Sequence, residues 1–333
     1  MTNNEKYLVV GAGNISKKHI DNIKRLKRNS LVFNLSSSGR NIDPQSNNAD
    51  YLLRNFQEAH EHKFSAVIIA SPASFHIEHA LFFSSLKIPL LIEKPLSDNL
   101  KKYEEASNAL LDLNEKIKIA YNLRYLNSMV FFKNFLRENL LGKIYSVQSE
   151  VGQNLINWRP EKNYKHTVSS NKKLGGGALL ELSHELDYLT WIFGDIQSVF
   201  CKLSNTNHFD IDVEDNVESI LQTKSGLCIN LHMDFLQNKT IRKCKVIGEK
   251  GTLDFDLLEN KIIHYQENEK IEIIYNENVF DQNQPYIDML QDFLNPDKEK
   301  LDNLASLDEA KYVLAIIKAM RASSKENSLI KVD

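Results

Sequence analysis

Over roughly the first 120 residues, short apolar runs alternate with stretches of helical spacing, and this alternation leaves few folds open. Tyr7–Val10, Leu31–Leu35, Ala66–Ala70, Leu90–Ile92 and Ile117–Ala120 are predicted as strands. Lys17–Leu26, His76–Ser85 and Asn99–Asn114 are predicted as helices with polar outer faces. Strands separated by helices imply a parallel sheet joined by crossovers.

Gly11-Ala12-Gly13-Asn14-Ile15-Ser16 follows the first strand and opens the first helix. In that setting the first glycine makes a tight turn and the second lets backbone N–H groups approach a pyrophosphate, which rests on the positive end of the helix. The expectation is a dinucleotide held at Gly11, Gly13, Asn14 and Ile15, with Ser16 in the third glycine position. An ordinary strand-to-helix turn is the plainer alternative. About 20 residues further on, an acidic side chain would bond the ribose of NAD. The chain has Ser36, Ser37, Ser38 and Arg40 there, with no acid before Asp43. Hydroxyls beside a guanidinium suit a 2′-phosphate, so NADP is favoured over NAD.

The rest of the chain changes character. Ile144–Val151, Val217–Thr223, Leu227–Phe235, Arg242–Ile247, Thr252–Phe255, Lys261–Tyr265 and Ile271–Tyr275 are predicted as an antiparallel series, with turns at Lys224-Ser225-Gly226, Glu249-Lys250-Gly251 and Glu259-Asn260. One helix is predicted over Leu179–Phe193 and another over Leu307–Ser323, capped by Ser306 or Asp308. The expected fold is α/β: a doubly wound parallel sheet over 1–121, then an α+β domain with a large open, mostly antiparallel sheet over 122–333. The C-terminal helix is expected to pack back on the first domain.

Composition removes several function classes. The chain is 42% hydrophobic and 26% charged, with a net charge of −3 spread along its length, so no basic footprint points to nucleic acid. No apolar run approaches the ~20 residues that cross a bilayer, and the polar start runs straight into a strand, so a cytoplasmic protein is expected. Cys201, Cys228 and Cys244 lie in predicted strands without metal-ligand spacing and read as free core thiols.

Two elements suggest chemistry. Glu93-Lys94-Pro95 follows a predicted strand, where Lys94 could hydrogen-bond a substrate oxygen; a surface ion pair is the bland reading. Gly175-Gly176-Gly177 precedes the helix that carries Glu181, His184, Asp187 and Tyr188. Glu181 and His184 would share a helix face, with Asp187 three residues beyond. His184 is a natural general base for a hydroxyl proton, although a lone helix histidine is more often structural. No third or fourth ligand accompanies the His184–Asp187 pair, so no metal is expected. Trp158, Arg159 and Tyr164 offer a flat ring and charge for a sugar, or a tryptophan packed on the core.

The chain resembles the Gfo/Idh/MocA oxidoreductases over nearly its whole length. The resemblance is carried by Gly11-Ala12-Gly13 with His19, Ala70-Ser71-Pro72 with His76, Glu93-Lys94-Pro95, Tyr121-Asn122-Leu123-Arg124-Tyr125, Trp158-Arg159-Pro160, the glycine triplet and its helix, and Glu214-Asp215. It implies a Rossmann domain, nicotinamide chemistry on sugars or polyols, and a homodimer or tetramer formed through the open sheet. By the same resemblance, Lys94 and His184 match the family's catalytic pair. Ser71, Pro72, His76 and Glu93 would join the cofactor site, and Arg124 the substrate site. The family commonly has Asp-x-Gly-x-His where this chain has Glu181-Leu182-Ser183-His184, so Glu181 and Asp187 are rival helpers. The expected reaction is hydride transfer to or from a hydroxyl-bearing carbon, with redox-neutral sugar chemistry on a tightly held cofactor, or a non-catalytic sensor, as alternatives.

Overall fold

The computed structural model describes residues 4–277, 279–295 and 303–333. The chain divides into two compact units, Met1–Asn122 with Asn283–Lys311 and Leu123–Gln282 with Tyr312–Asp333. The sequence places one boundary after residue 121; the chain instead crosses three times, because the segment from Asn283 returns to the first unit.

In the first unit, β1 (Lys6–Val10), β2 (Leu31–Leu35), β3 (Tyr51–Leu53), β4 (Ala66–Ile69), β5 (Leu90–Ile92) and β6 (Ile117–Ile119) are parallel and lie in the order 3-2-1-4-5-6. That is the doubly wound order, whose reversal point sits between β1 and β4. A two-residue strand, Ala305–Ser306, closes the β6 edge antiparallel. Leu8, Val9, Val10, Ile68, Ile69, Leu90 and Leu91 are fully buried, as helices on both sides of such a sheet require. Those helices are α1 (Asn14–Leu26), α2 (Phe56–Ala59), α3 (His76–Ser84) and α4 (Leu100–Leu111). The first helix starts at the glycine loop rather than at Lys17.

The second unit is built on a sheet of nine strands. Its named strands are β7 (Ile144–Gly152), β8 (Ile196–Ser204), β9 (Asn216–Thr223), β10 (Cys228–Asp234), β11 (Ile241–Gly248), β12 (Gly251–Asp256), β13 (Lys261–Tyr265) and β14 (Ile271–Asn276). They run in the order 14-13-12-11-7-10-9-8, with Ile330–Lys331 at the far edge. The pairing is mostly antiparallel, as expected, with one parallel pair, β7 with β10. Alternating burial along β9 and β10 leaves one face of the sheet open to solvent. All three predicted turns use a positive φ, at Gly226, Gly251 and Asn260. Helices α5 (Asn127–Arg137), α6 (Leu155–Trp158), α7 (Ala178–Glu181) and α8 (His184–Phe193) also belong to this unit.

After them come α9 (Gln284–Leu294) and α10 (Leu307–Glu326). Ser306, not Asp308, caps α10: its Oγ accepts from the N–H of Glu309, whose carboxylate accepts from the N–H of Ser306. The three thiols are free; Cys201 and Cys244 are buried, and burial pushes each up to about 12. Cys228 is exposed, not a core thiol as expected. Among the described residues no helix is long and apolar enough to cross a membrane.

His232 on β10 lies 2.8 Å from both Glu218 Oε1 and Asp234 Oδ2. The bond to Asp234, reinforced by the charge on Glu218, raises its pKa from 6.5 to about 9. A folded pKa above the unfolded one stabilises the protonated fold, so this contribution is complete below pH 6.5 and is lost as pH climbs through about 9. His232→Gln is expected to flatten the fall of Tm across that window in thermal scans at stepped pH. An unchanged slope would contradict the assignment.

Candidate functional site

The first unit supplies a phosphate cradle. Gly11 has φ +127°, and a Cβ there would run into the Ala70 carbonyl and the Ser16 hydroxyl. Ser16 is fully buried and its Oγ donates to the Ala70 carbonyl at 3.2 Å, so it braces the turn from the third glycine position. At Gly13 a Cβ would meet open space. Ala12, Gly13 and Asn14 are exposed, Ile15 is half-buried, and the first turn of α1 carries no acid. A helix start of this kind, open and unneutralised, fits a pyrophosphate.

The end of β2 is tied to this loop by a residue that sequence reasoning missed. Asn34 is buried; its amide donates to the carbonyls of Val9 and Gly11 at 2.8 and 2.7 Å. A polar residue inside the otherwise apolar strand Leu31–Leu35 was the available signal. Beyond it, Ser36 is buried and accepts from the N–H of Ser38, whose Oγ accepts from exposed Arg40 Nε at 3.0 Å. Asp43 is engaged in capping a turn through the N–H of Gln45.

Lys94 stands half-buried just beyond β5, at the same C-terminal sheet edge as the glycine loop, which follows β1. Glu93 before it is buried; its Oε1 accepts from His19 Nε2 at 2.7 Å and its Oε2 from the N–H of Lys94 at 3.2 Å. His76 and Ser71, expected at the cofactor, are largely buried in the framework. The two nitrogens of His76 lie 2.8 and 2.7 Å from the carbonyl oxygens of Pro95 and Ser71, so this ring clasps two strand ends rather than reaching a ligand. Burial lowers its pKa against the opposing pull of those carbonyls. The Ser71 hydroxyl is paired with His79 Nδ1 at 3.0 Å, and burial brings that histidine down to about 4. Pro72 starts the short turn that leads into α3.

The second unit supplies His184 as the first residue of α8, 9% exposed. The single helix expected over Leu179–Phe193 is interrupted at Leu182 and Ser183. There the backbone tightens, with the N–H of Ser183 on the Leu180 carbonyl and that of Glu185 on the Leu182 carbonyl. Glu181 therefore ends one helix and His184 begins the next, where a single regular helix was expected. Glu181 Oε2 accepts from Ser169 Oγ at 2.9 Å. Asp187 receives Nε and Nη2 of Arg124 at 3.0 and 2.7 Å, with both side chains 1% exposed. Arg124, expected at a substrate, is thus held in a buried ion pair with Asp187.

Two further anchors fix α8. Glu185 is fully buried and takes a two-pronged bond from Arg242 on β11, at 2.7 and 3.0 Å. Tyr188 Oη pairs with Ser149 Oγ on β7 at 2.6 Å. At the triplet, a Cβ on Gly177 (φ +106°) would strike the Glu214 carboxylate, which accepts from the N–H of Leu179 at 3.2 Å. Burial raises the pKa of Glu214. Trp158 ends the short helix α6 and packs on buried Phe235, with ring centroids 5.6 Å apart. Arg159 lies over Trp158 and Tyr164 packs on Phe209, all within the second unit. Among the described residues no group of three His, Cys, Asp or Glu side chains could hold a metal.

Residues 5–121 match the model of the oxidoreductase family with an NAD-binding Rossmann fold, and residues 130–254 match that of the GFO/IDH/MocA C-terminal domain. The chain belongs to the GFO/IDH/MocA oxidoreductase family. Among its relatives are an oxidoreductase of Formosa agariphila, 25% identical with 72% of each chain covered, and glucose-6-phosphate 3-dehydrogenase of Bacillus subtilis, 26% identical with 68% of this chain and 67% of that one covered. The fold is shared with levoglucosan dehydrogenase in complex with NADH and levoglucosan, at TM-score 0.84, 16% identity and 99% of both chains. It is also shared with the WlbA dehydrogenase of Bordetella pertussis in complex with NADH and UDP-GlcNAcA, at TM-score 0.79, 17% identity, 100% of this chain and 99% of that one. The chain is therefore an enzyme of an NAD-binding oxidoreductase family with a Rossmann sheet.

Proposed function

We propose that the protein catalyses reversible hydride transfer at a hydroxyl-bearing carbon of a sugar, nucleotide sugar or polyol, with Lys94 and His184 as its catalytic residues. The observation that carries this most is the placing of Lys94 at the C-terminal edge of the sheet that bears the glycine cradle, because ligands of doubly wound sheets bind outside that edge. The dinucleotide, when bound, supplies the hydride acceptor or donor. Lys94 donates a hydrogen bond to the reacting oxygen and stabilises negative charge on it. His184 accepts the hydroxyl proton during oxidation and returns it during reduction. Asp187 and Arg124 hold α8, and Trp158, Arg159 and Tyr164 offer the sugar a ring face and charge. The relatives named for sugars support this substrate class. A screen of free sugars, nucleotide sugars and inositols with both cofactors, read by absorbance of the reduced nicotinamide, tests it; silence with every compound would defeat it.

NADP is the cofactor we favour, on the pairing of Arg40 with Ser38 just past β2. A guanidinium fork meets a 2′-phosphate at two oxygens and has no such partner on a bare ribose. Arg40→Ala is expected to weaken NADP binding about 10-fold, the value of one charge-assisted contact, and to leave NAD nearly unchanged. Fluorescence titration of both cofactors measures this; equal effects on the two would refute the preference. We also place the enzyme in the cytoplasm and assign the open sheet face to a second copy of the chain. Nine strands at ~4.8 Å spacing give a face about 40 Å wide, ample for a stable dimer, and Phe200 and Ile220 are exposed on that sheet.

A further inference from the structure

We propose that His19 is a positioning residue for Lys94, acting through the carboxylate of Glu93. The inference rests on the reading of Lys94 as the group that meets the reacting oxygen. His19 lies on α1, one turn beyond the phosphate cradle, and is fully buried. Its Nε2–H donates to Glu93 Oε1 at 2.7 Å across 74 residues of sequence. Its other nitrogen, Nδ1, meets no hydrogen-bond partner among the described residues. The ring otherwise packs edge-on to Tyr286 of α9, with centroids 6.3 Å apart. The bond to Glu93 is thus what a polar ring contributes at this point of the core.

Glu93 is pinned at three atoms. Its backbone N–H donates to the Ile69 carbonyl at 2.8 Å, Oε1 takes His19, and Oε2 takes the N–H of Lys94 at 3.2 Å. Its side chain is only 10% exposed, so an apolar pair filling the same volume would avoid the desolvation that a carboxylate suffers here. What an apolar pair cannot supply is direction. Directed bonds from α1 to Glu93, and from Glu93 to the next peptide, set the point from which the Lys94 side chain departs. The helix that carries the phosphate cradle and the strand end that carries the lysine are thereby coupled. Breaking the coupling should disturb chemistry while leaving the cradle, whose groups are all backbone or Ser16, intact.

Two variants of the full chain separate this role from packing. In His19→Gln the amide nitrogen falls near the place of Nε2 and can still donate to Glu93. In His19→Asn it falls near Nδ1 and stops short. His19→Asn is expected to lower kcat about 10- to 100-fold, the loss that follows when a distant change misplaces a reacting group by about an ångström. KM and the cofactor Kd should stay near wild type, and His19→Gln should recover most of kcat. A second readout needs no turnover: NMR of the protein with isotope-labelled methyl groups on its lysines, the Lys94 signal being assigned by its loss in Lys94→Arg. That signal should move in His19→Asn and return in His19→Gln. Equal losses in the two variants, or a wild-type kcat and an unmoved Lys94 signal in His19→Asn, would overturn the proposal. If the wild type reduces and oxidises no sugar, the functional reading fails, and the displaced Lys94 signal still decides the positioning role.

Discussion

Lys94→Ala is expected to lower kcat/KM by about 100- to 1,000-fold, the usual consequence of removing one donor aimed at a developing charge, with cofactor Kd little changed. The separation follows from the architecture. The cradle for the phosphates is made by backbone groups at Gly11 to Asn14, braced by Ser16 on the Ala70 carbonyl. The backbone around Lys94 is held independently of its side chain, through Glu93 on one side and through the Pro95 carbonyl at His76 on the other. Truncation therefore removes the ammonium and leaves the frame. Initial rates together with a fluorescence titration of the cofactor measure the two effects; near-normal turnover would remove Lys94 from the chemistry.

The second large effect concerns stability. Arg124→Met is expected to cost about 3–5 kcal/mol, because it takes the guanidinium away from the Asp187 carboxylate in the core. Both members are 1% exposed and joined by two hydrogen bonds, so solvent cannot take the place of the guanidinium. Arg124 also lies 5.2 Å from the ring of Trp191, which shares α8 with Asp187. Urea unfolding would show the loss as a lower midpoint. The double variant Arg124→Met with Asp187→Leu should regain much of it, since replacing a whole buried pair by apolar groups is often neutral. A single variant as stable as wild type would show that the pair contributes nothing.

Much of the fold was legible in the sequence because the signals are local. Leu31–Leu35, Leu90–Ile92 and Lys261–Tyr265 are strands with the bounds their apolar or alternating pattern predicts. The glycine loop was readable because its turn, helix start and preceding strand are contiguous. What failed was non-local or irregular. The parallel pairing of β7 with β10 joins segments about 80 residues apart, which no window of sequence displays. Strand β8 was missed where its register shifts between Ile196 and Ser198, so that Ser198 and Val199 are buried in succession and break the alternation. The interruption at Leu182–Ser183 escaped notice because Leu and Ser are both tolerated in helices.

The same distinction holds for the candidate site. Lys94 and His184 were singled out by motif, and their motifs place them at a strand end and a helix start. Arg124, Asp187 and His76 were drawn from motifs too, yet a motif names a residue without saying which way it faces. Arg124 and Asp187 turned out to face each other, and His76 faces two carbonyls. Glu185 and Arg242 were invisible for the complementary reason: 57 residues separate the two halves of the pair.

The central claim is that hydride passes directly between the substrate carbon and the nicotinamide. With a substrate from the sugar screen carrying deuterium on the carbon to be oxidised, mass spectrometry of the reduced cofactor tests it directly. One deuterium per reduced cofactor is the predicted result. A reduced cofactor without label, or product formed with no reduced cofactor at all, would contradict it.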